Sequence, residues 1–84
     1  MTNMKRGNQP KKSDKEFSFE IVEHIGVISE STKGWRKEMN LVSWNGAEAK
    51  LDIRDWSPEH DKMGKGISFN ADEIMTLKEL ILKL

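Results

Sequence analysis

The sequence has no cysteine, so neither a disulfide nor a thiolate metal site can reinforce the fold. It has no tyrosine and only two prolines. No apolar run approaches the ~20 residues that a membrane-spanning helix needs. The polar N-terminus lacks the apolar core of a secretory signal, which predicts a cytoplasmic location. Neither sign of charge is in excess: 14 basic residues cancel 14 acidic ones. Composition alone therefore carries no polyanion-binding signal. A chain of 84 residues is one domain with a marginal core. With disulfides excluded, self-association is the reinforcement left to it.

The zero total hides an asymmetry. Residues 1–16 hold Lys5, Arg6, Lys11, Lys12 and Lys15 against Asp14 and Glu16, and the remainder of the chain is correspondingly acidic. With no aliphatic residue after Met4, this stretch reads as a disordered basic arm. The folded domain is predicted to span 17–84. Phe17, Phe19, Ile21, Ile25 and Val27 fall at alternate positions broken by Glu23, the pattern of a strand with one buried face. Ser31-Thr32-Lys33-Gly34 marks a turn. A second strand runs from Trp35 to Trp44. Asn45-Gly46 is a strong two-residue hairpin signal, because a type I′ turn needs positive φ at both positions. Ala47 to Trp56 returns as the third strand. After a polar loop, Lys62 to Phe69 forms a fourth, with Gly64 and Gly66 marking a bulge or a close backbone approach. Asn70 and Glu73 then form a capping box, opening a helix expected to reach Leu84. Ile74, Leu77, Leu80, Ile81 and Leu84 share one helical face. Met75 and Leu82 form a second apolar patch with no partner in a single chain, which suggests a dimer contact. The predicted class is α+β, ordered β-β-β-β-α and homodimeric.

A two-residue turn at Asn45-Gly46 sorts side chains between the faces of the sheet. It pairs Trp35 with Trp56, Lys37 with Arg54 and Leu41 with Lys50. Trp35, Lys37, Lys50, Arg54 and Trp56 then share one face, and Val42, Trp44, Ala49, Leu51 and Ile53 form the core side. Flat rings beside cations suit unpaired nucleic acid: each stacked base contributes ~1–3 kcal/mol, and the cations neutralise phosphates. The competing reading makes the tryptophans core anchors, which fits Trp44 well. The register has a flaw, because it sends Glu38 and Asn40 inward and Met39 and Leu41 outward. A bulge near residues 39–41 would repair it and would move Trp35 and Lys37 to the other face.

Lys50-Leu51-Asp52-Ile53-Arg54-Asp55-Trp56, followed by Gly64-Lys65-Gly66-Ile67-Ser68-Phe69, resembles the transcriptional positive cofactor four (coactivator p15) family. Gly34-Trp35-Arg36-Lys37-Glu38 and Val42-Ser43-Trp44-Asn45 resemble its short bacterial, YdbC-like branch. The resemblance covers 17–84. It implies a curved four-stranded sheet followed by a helix, dimerisation through helices, and sequence-nonspecific binding of single-stranded DNA across the sheets, in transcription regulation, repair or replication. Carried over by position, Arg54 and Lys65 match backbone contacts, Trp44 and Trp56 match aromatic positions, and Lys62 lies near a further basic one. The turn departs from the Lys-rich eukaryotic pattern. Trp44 stays open between core and ligand.

The catalytic inventory is thin. His24 and His60 lack metal-ligand spacing, and Glu59-His60-Asp61 reads as an exposed polar loop. Gly64-Lys65-Gly66 is no complete phosphate loop, and no nucleophile–base pair stands out. The expectation is a cytoplasmic, nucleoid-associated binder without enzyme activity, metal or cofactor. Its expected nucleic-acid residues are Trp35, Lys37, Trp44, Lys50, Arg54, Trp56, Lys62 and Lys65, with Met75 and Leu82 at the dimer contact. The alternatives are a single-stranded RNA binder or a protein-interaction module that docks the transcription machinery.

Overall fold

The computed structural model describes residues 17–84, so the basic arm read at 1–16 lies outside the described residues. Four strands follow one another: β1 (Phe19–Glu30), β2 (Arg36–Trp44), β3 (Lys50–Trp56) and β4 (Met63–Phe69). One helix, α1 (Ala71–Ile81), closes the chain. The strands pair antiparallel in sequence order in a single curved, unclosed sheet. The predicted α+β class and element order are those observed. The helix stops at Ile81, with Leu82 as its C-cap, short of the expected Leu84.

The predicted turn forms. Asn45 (φ 52°) and Gly46 (φ 77°) both adopt positive φ, and the Ala47 amide donates to the Trp44 carbonyl at 2.9 Å. The register beyond it differs by one residue. Val42 faces Lys50, Asn40 faces Asp52, Glu38 faces Arg54 and Arg36 faces Trp56. Two residues lead back from Trp44 to Val42, whereas three lead on from Ala47 to Lys50. The surplus residue therefore sits on the return arm, not near 39–41, and β3 starts at Lys50 rather than Ala47. Ser43 Oγ donates to the Ala47 carbonyl at 2.6 Å and ties this irregular stretch down.

A one-residue slip moves every side chain beyond it to the other face. The expected pairs of Trp35 with Trp56, Lys37 with Arg54 and Leu41 with Lys50 are therefore corrected. Glu38, Asn40 and Val42 stand with Asp52, Arg54 and Trp56 on one face, and Lys37 shares the opposite face with Asp55. Leu41, Leu51 and Phe69 lie beneath α1, where with Ile74 they line a cavity of about 340 Å³. Val42 is fully buried on the far side of the sheet from Leu51, so the expected single core face is split between two sides.

β1 is more irregular than simple alternation predicts. Its pairing to β2 carries surplus residues at Val22, Ile25 and Ile28. Every third residue from Ile21 thus faces Val42, Asn40 or Glu38, and the three surplus aliphatics are exposed. Each bulge bends the strand and raises its twist. The bending is severe. Phe19 pairs with Trp44 at one end of β2 and Trp56 pairs with Arg36 at the other, yet the rings of Phe19 and Trp56 lie 5.3 Å apart. The sheet curls so far that its diagonal corners meet over the concave side.

Candidate nucleic-acid interface

The concave side holds an unusual amount of buried polarity. Glu38, Asn40 and Asp52 are all 1 % exposed or less. Asp52 is satisfied by a fork: Arg54 Nε and Nη2 donate to its two oxygens at 2.7 and 2.9 Å. Ser68 Oγ adds a third donor at 2.8 Å. Paired and hydrogen-bonded in this way, a buried carboxylate is tolerable. Arg54 Nη1 reaches the Gly64 carbonyl at 3.3 Å. A Cβ on the facing Gly66 would stand 2.6 Å from the Ile53 carbonyl oxygen and collide with Arg54 Cβ. The glycine suspected from sequence is thus the space through which Arg54 crosses β4.

The Arg54 guanidinium lies 4.7 Å from the Trp44 ring centroid, a cation–π stack. Trp44 Nε1 donates to Ser68 Oγ at 3.2 Å. Phe17 and Phe19 flank the indole, each with its ring centroid 5.9 Å away. Phe17 is 63 % exposed. Register puts Lys50, also exposed, on the same face. The structure therefore brings Trp44, Lys50 and Arg54 together at one rim of the sheet, with Phe17 beside them. Trp44, which the hairpin argument placed on the core side, is half-buried on the face of Arg54. The hairpin argument's placement of Trp44 on the core side is therefore corrected: the ring is half-buried among Phe17, Phe19 and Arg54.

The other expected residues lie apart. Trp56 is fully buried under Phe19 and His60, and its indole N–H has no hydrogen-bond partner among the described residues. It is a core anchor. Trp35 packs near Gly64, and Lys37 is on the opposite face from Arg54. Lys62 and Lys65 are exposed at the start of β4, where one surplus residue opposes Asp55. Alternation from Gly66 places Lys65 on the face of Ile67, away from Arg54. Phe17, exposed beside Trp44, is not among the expected residues. Its signal was an aromatic one step ahead of the strand's buried positions, indistinguishable by spacing from core.

A second missed group surrounds Glu38. His60 Nε2 lies 3.0 Å from both carboxylate oxygens. Asn40 Nδ2 donates to Oε1 at 3.2 Å, and Arg36 Nε and His24 Nδ1 stand at 3.6 Å. Burial pushes the Glu38 carboxyl up, but the hydrogen bonds from His60 and Asn40 and the charges of both histidines outweigh it. The group ends below its ordinary value of 4.5. His24 and His60 are 36 residues apart in sequence, so no spacing rule joins them; the curl of the sheet does. Among the described residues, no three His, Cys, Asp or Glu side chains form a metal site.

A curled four-stranded antiparallel sheet with one C-terminal helix, carrying rings and a guanidinium on its rim, defines a small α+β domain. Residues 31–80 match the family model PC4, Transcriptional Coactivator p15, and the chain belongs to that family. It is also 42 % identical over 66 residues to an uncharacterized protein of Treponema pallidum (strain Nichols), covering 79 % of this chain and 78 % of that one. Family membership is consistent with DNA-binding and coactivator roles.

Proposed function

We propose that this protein binds single-stranded DNA without sequence specificity, as a homodimer, through the rim that carries Trp44, Lys50, Arg54 and Phe17. The observation that supports this most is the Trp44–Arg54 stack beside the exposed Phe17 ring. It offers unpaired bases a flat surface and phosphates a cation at one place, and duplex DNA has no free base faces to use it. Lys62 lies just ahead of β4 and adds a cation, and Lys65, on the face away from Arg54, takes no part. Trp56, Trp35 and Lys37 have no direct contact in this reading. The setting is cytoplasmic and nucleoid-associated, in transcription or repair, as a non-enzymatic binder of the YdbC-like type.

An oligo-dT should quench tryptophan emission and bind more tightly than a duplex of equal length. Phe17→Ala should weaken dT binding about 5- to 100-fold if the ring stacks on a base. Lys50→Ala should flatten the slope of log affinity against log salt by about 0.7, and Lys65→Ala, on the other face, should leave it unchanged. Binding without salt dependence, or equal affinity for duplex, would reject the proposal. A stronger response to rU than to dT would shift it to RNA.

A further inference from the structure

We propose that Asn45 is a positioning residue for the binding rim: its side chain seats Phe17 against Trp44 by continuing the strand pairing one step past the end of the sheet. The proposal rests on the single-strand reading above and deepens it, since Phe17 is the rim residue that lies outside the strands. β1 begins at Phe19. The pairing of β1 with β2 ends at Phe19 and Trp44.

In an antiparallel ladder, a hydrogen-bonded pair exchanges two bonds, each amide donating to the other residue's carbonyl. Ser18 and Asn45 stand one step beyond Phe19 and Trp44. They make half of that exchange with backbone alone: the Asn45 amide donates to the Ser18 carbonyl at 2.8 Å. The other half needs an acceptor for the Ser18 amide. The Asn45 backbone is already turning, with φ at 52°, and its side chain supplies the acceptor. The Ser18 amide donates to Asn45 Oδ1 at 2.8 Å. A side-chain oxygen thus stands in for a strand carbonyl, and residue 18 is held by both its N–H and its C=O.

Holding Ser18 fixes Phe17. Alternate residues of an extended chain point to the same side, so Phe17 follows Phe19 onto the face of Trp44. Its ring centroid lies 6.3 Å from that of Phe19 and 5.9 Å from that of Trp44. Those two contacts belong to a largely exposed ring, and alone they would have to offset the backbone entropy of ordering it. The clamp removes that burden before any base arrives. The turn itself does not ask this of asparagine. A type I′ turn needs positive φ at both positions, which glycine supplies equally well. Asn45 therefore does two jobs, turn and clamp, and the Asn-Gly signal in the sequence announces the first alone. Ser18 and Asn45 are both exposed, so the clamp acts on the rim and not on the core.

Two substitutions in the full-length protein separate the two jobs. Asn45→Gly keeps the turn, because glycine takes positive φ freely, and removes the Oδ1 acceptor. It should weaken oligo-dT binding about 2- to 10-fold, the range of one hydrogen bond, and leave the urea midpoint near that of wild type. In the free protein the Phe17 ring resonances should lose the shift that the Trp44 indole imposes on them. Phe17→Ala added to Asn45→Gly should then cost little more, so the two losses do not add. Asn45→Asp keeps an oxygen acceptor and tolerates the left-handed backbone. There the Phe17 resonances should stay as in wild type, and Phe17→Ala should retain its full effect. Unmoved Phe17 resonances in Asn45→Gly, or full additivity with Phe17→Ala, overturn the proposal and leave single-strand binding standing. Displaced resonances with undiminished dT affinity overturn it too, because the seated ring then serves no base. If Asn45→Gly unfolds the protein, Asn45→Asp decides alone: displaced Phe17 resonances there, with the acceptor kept, reject the clamp. Wild-type protein that binds no dT rejects the single-strand reading itself.

Discussion

At the scale of single residues, Arg54 shows how a binding candidate can also be structural. The basic residue of the Asp-Ile-Arg strand was legible in the sequence, as was the glycine facing it. Its fork onto Asp52 was not, because two residues of opposite charge at i and i+2 share a face in any strand and most such pairs are solvated. Here Asp52 is fully buried. Among the described residues, Arg54→Ala would leave that carboxylate with Ser68 as its only side-chain donor. We expect a loss of about 3 kcal/mol, as for other broken buried pairs, read as a lower urea midpoint. An unchanged midpoint would mean that water replaces the fork. Phe17 and Lys50 are therefore the cleaner binding probes. Trp56 carries the complementary lesson. Sequence alternation gave it the right strand but the wrong partner, Trp35 in place of Arg36, and only the curl that brings Phe19 over it decides that it is covered.

At the scale of elements, the strands, the Asn45-Gly46 turn and the capped helix were all readable, because each rests on local chemistry. The capping box is complete: Glu73's amide donates to Asn70 Oδ1, and Asn70's amide donates to Glu73 Oε1, both at 2.9 Å. The facing of β2 against β3 was not readable. It depends on one surplus residue between Ala47 and Lys50, a stretch of small and charged residues with no marker for it. Glu38 and Asn40 looked misplaced in the simple register because their burial depends on partners from β1 and the 57–62 loop. Removing one residue here tests the account. Deletion of Glu48 should restore the simple register and force Glu38 and Asn40 to the helix face, so the variant should lose its cooperative unfolding transition. A well-folded deletion variant with native amide chemical shifts would contradict the assigned position of the surplus residue.

At the scale of the whole molecule, no residue of α1 is fully buried against its own sheet; Ile74 and Leu77 are half-buried. Met75 is 62 % exposed, Leu82 84 % and Leu84 fully so. Apolar surface on this scale marks an association site. We expect sedimentation to give the mass of two chains, and Met75→Glu or Leu82→Glu to give that of one. Wild-type protein sedimenting as a single chain would remove the dimer from the proposal.

Among the described residues no strand pairs with the outer side of β1, which leaves it a long edge, the kind of margin along which proteins polymerise strand on strand. Its triplet rhythm answers that hazard. With a surplus residue at Val22, Ile25 and Ile28, the outer row of amides and carbonyls never runs straight for more than a few positions, and an incoming flat strand finds no continuous ladder to copy. The same kinks that fold the sheet over its tryptophan also deny fibrils a template.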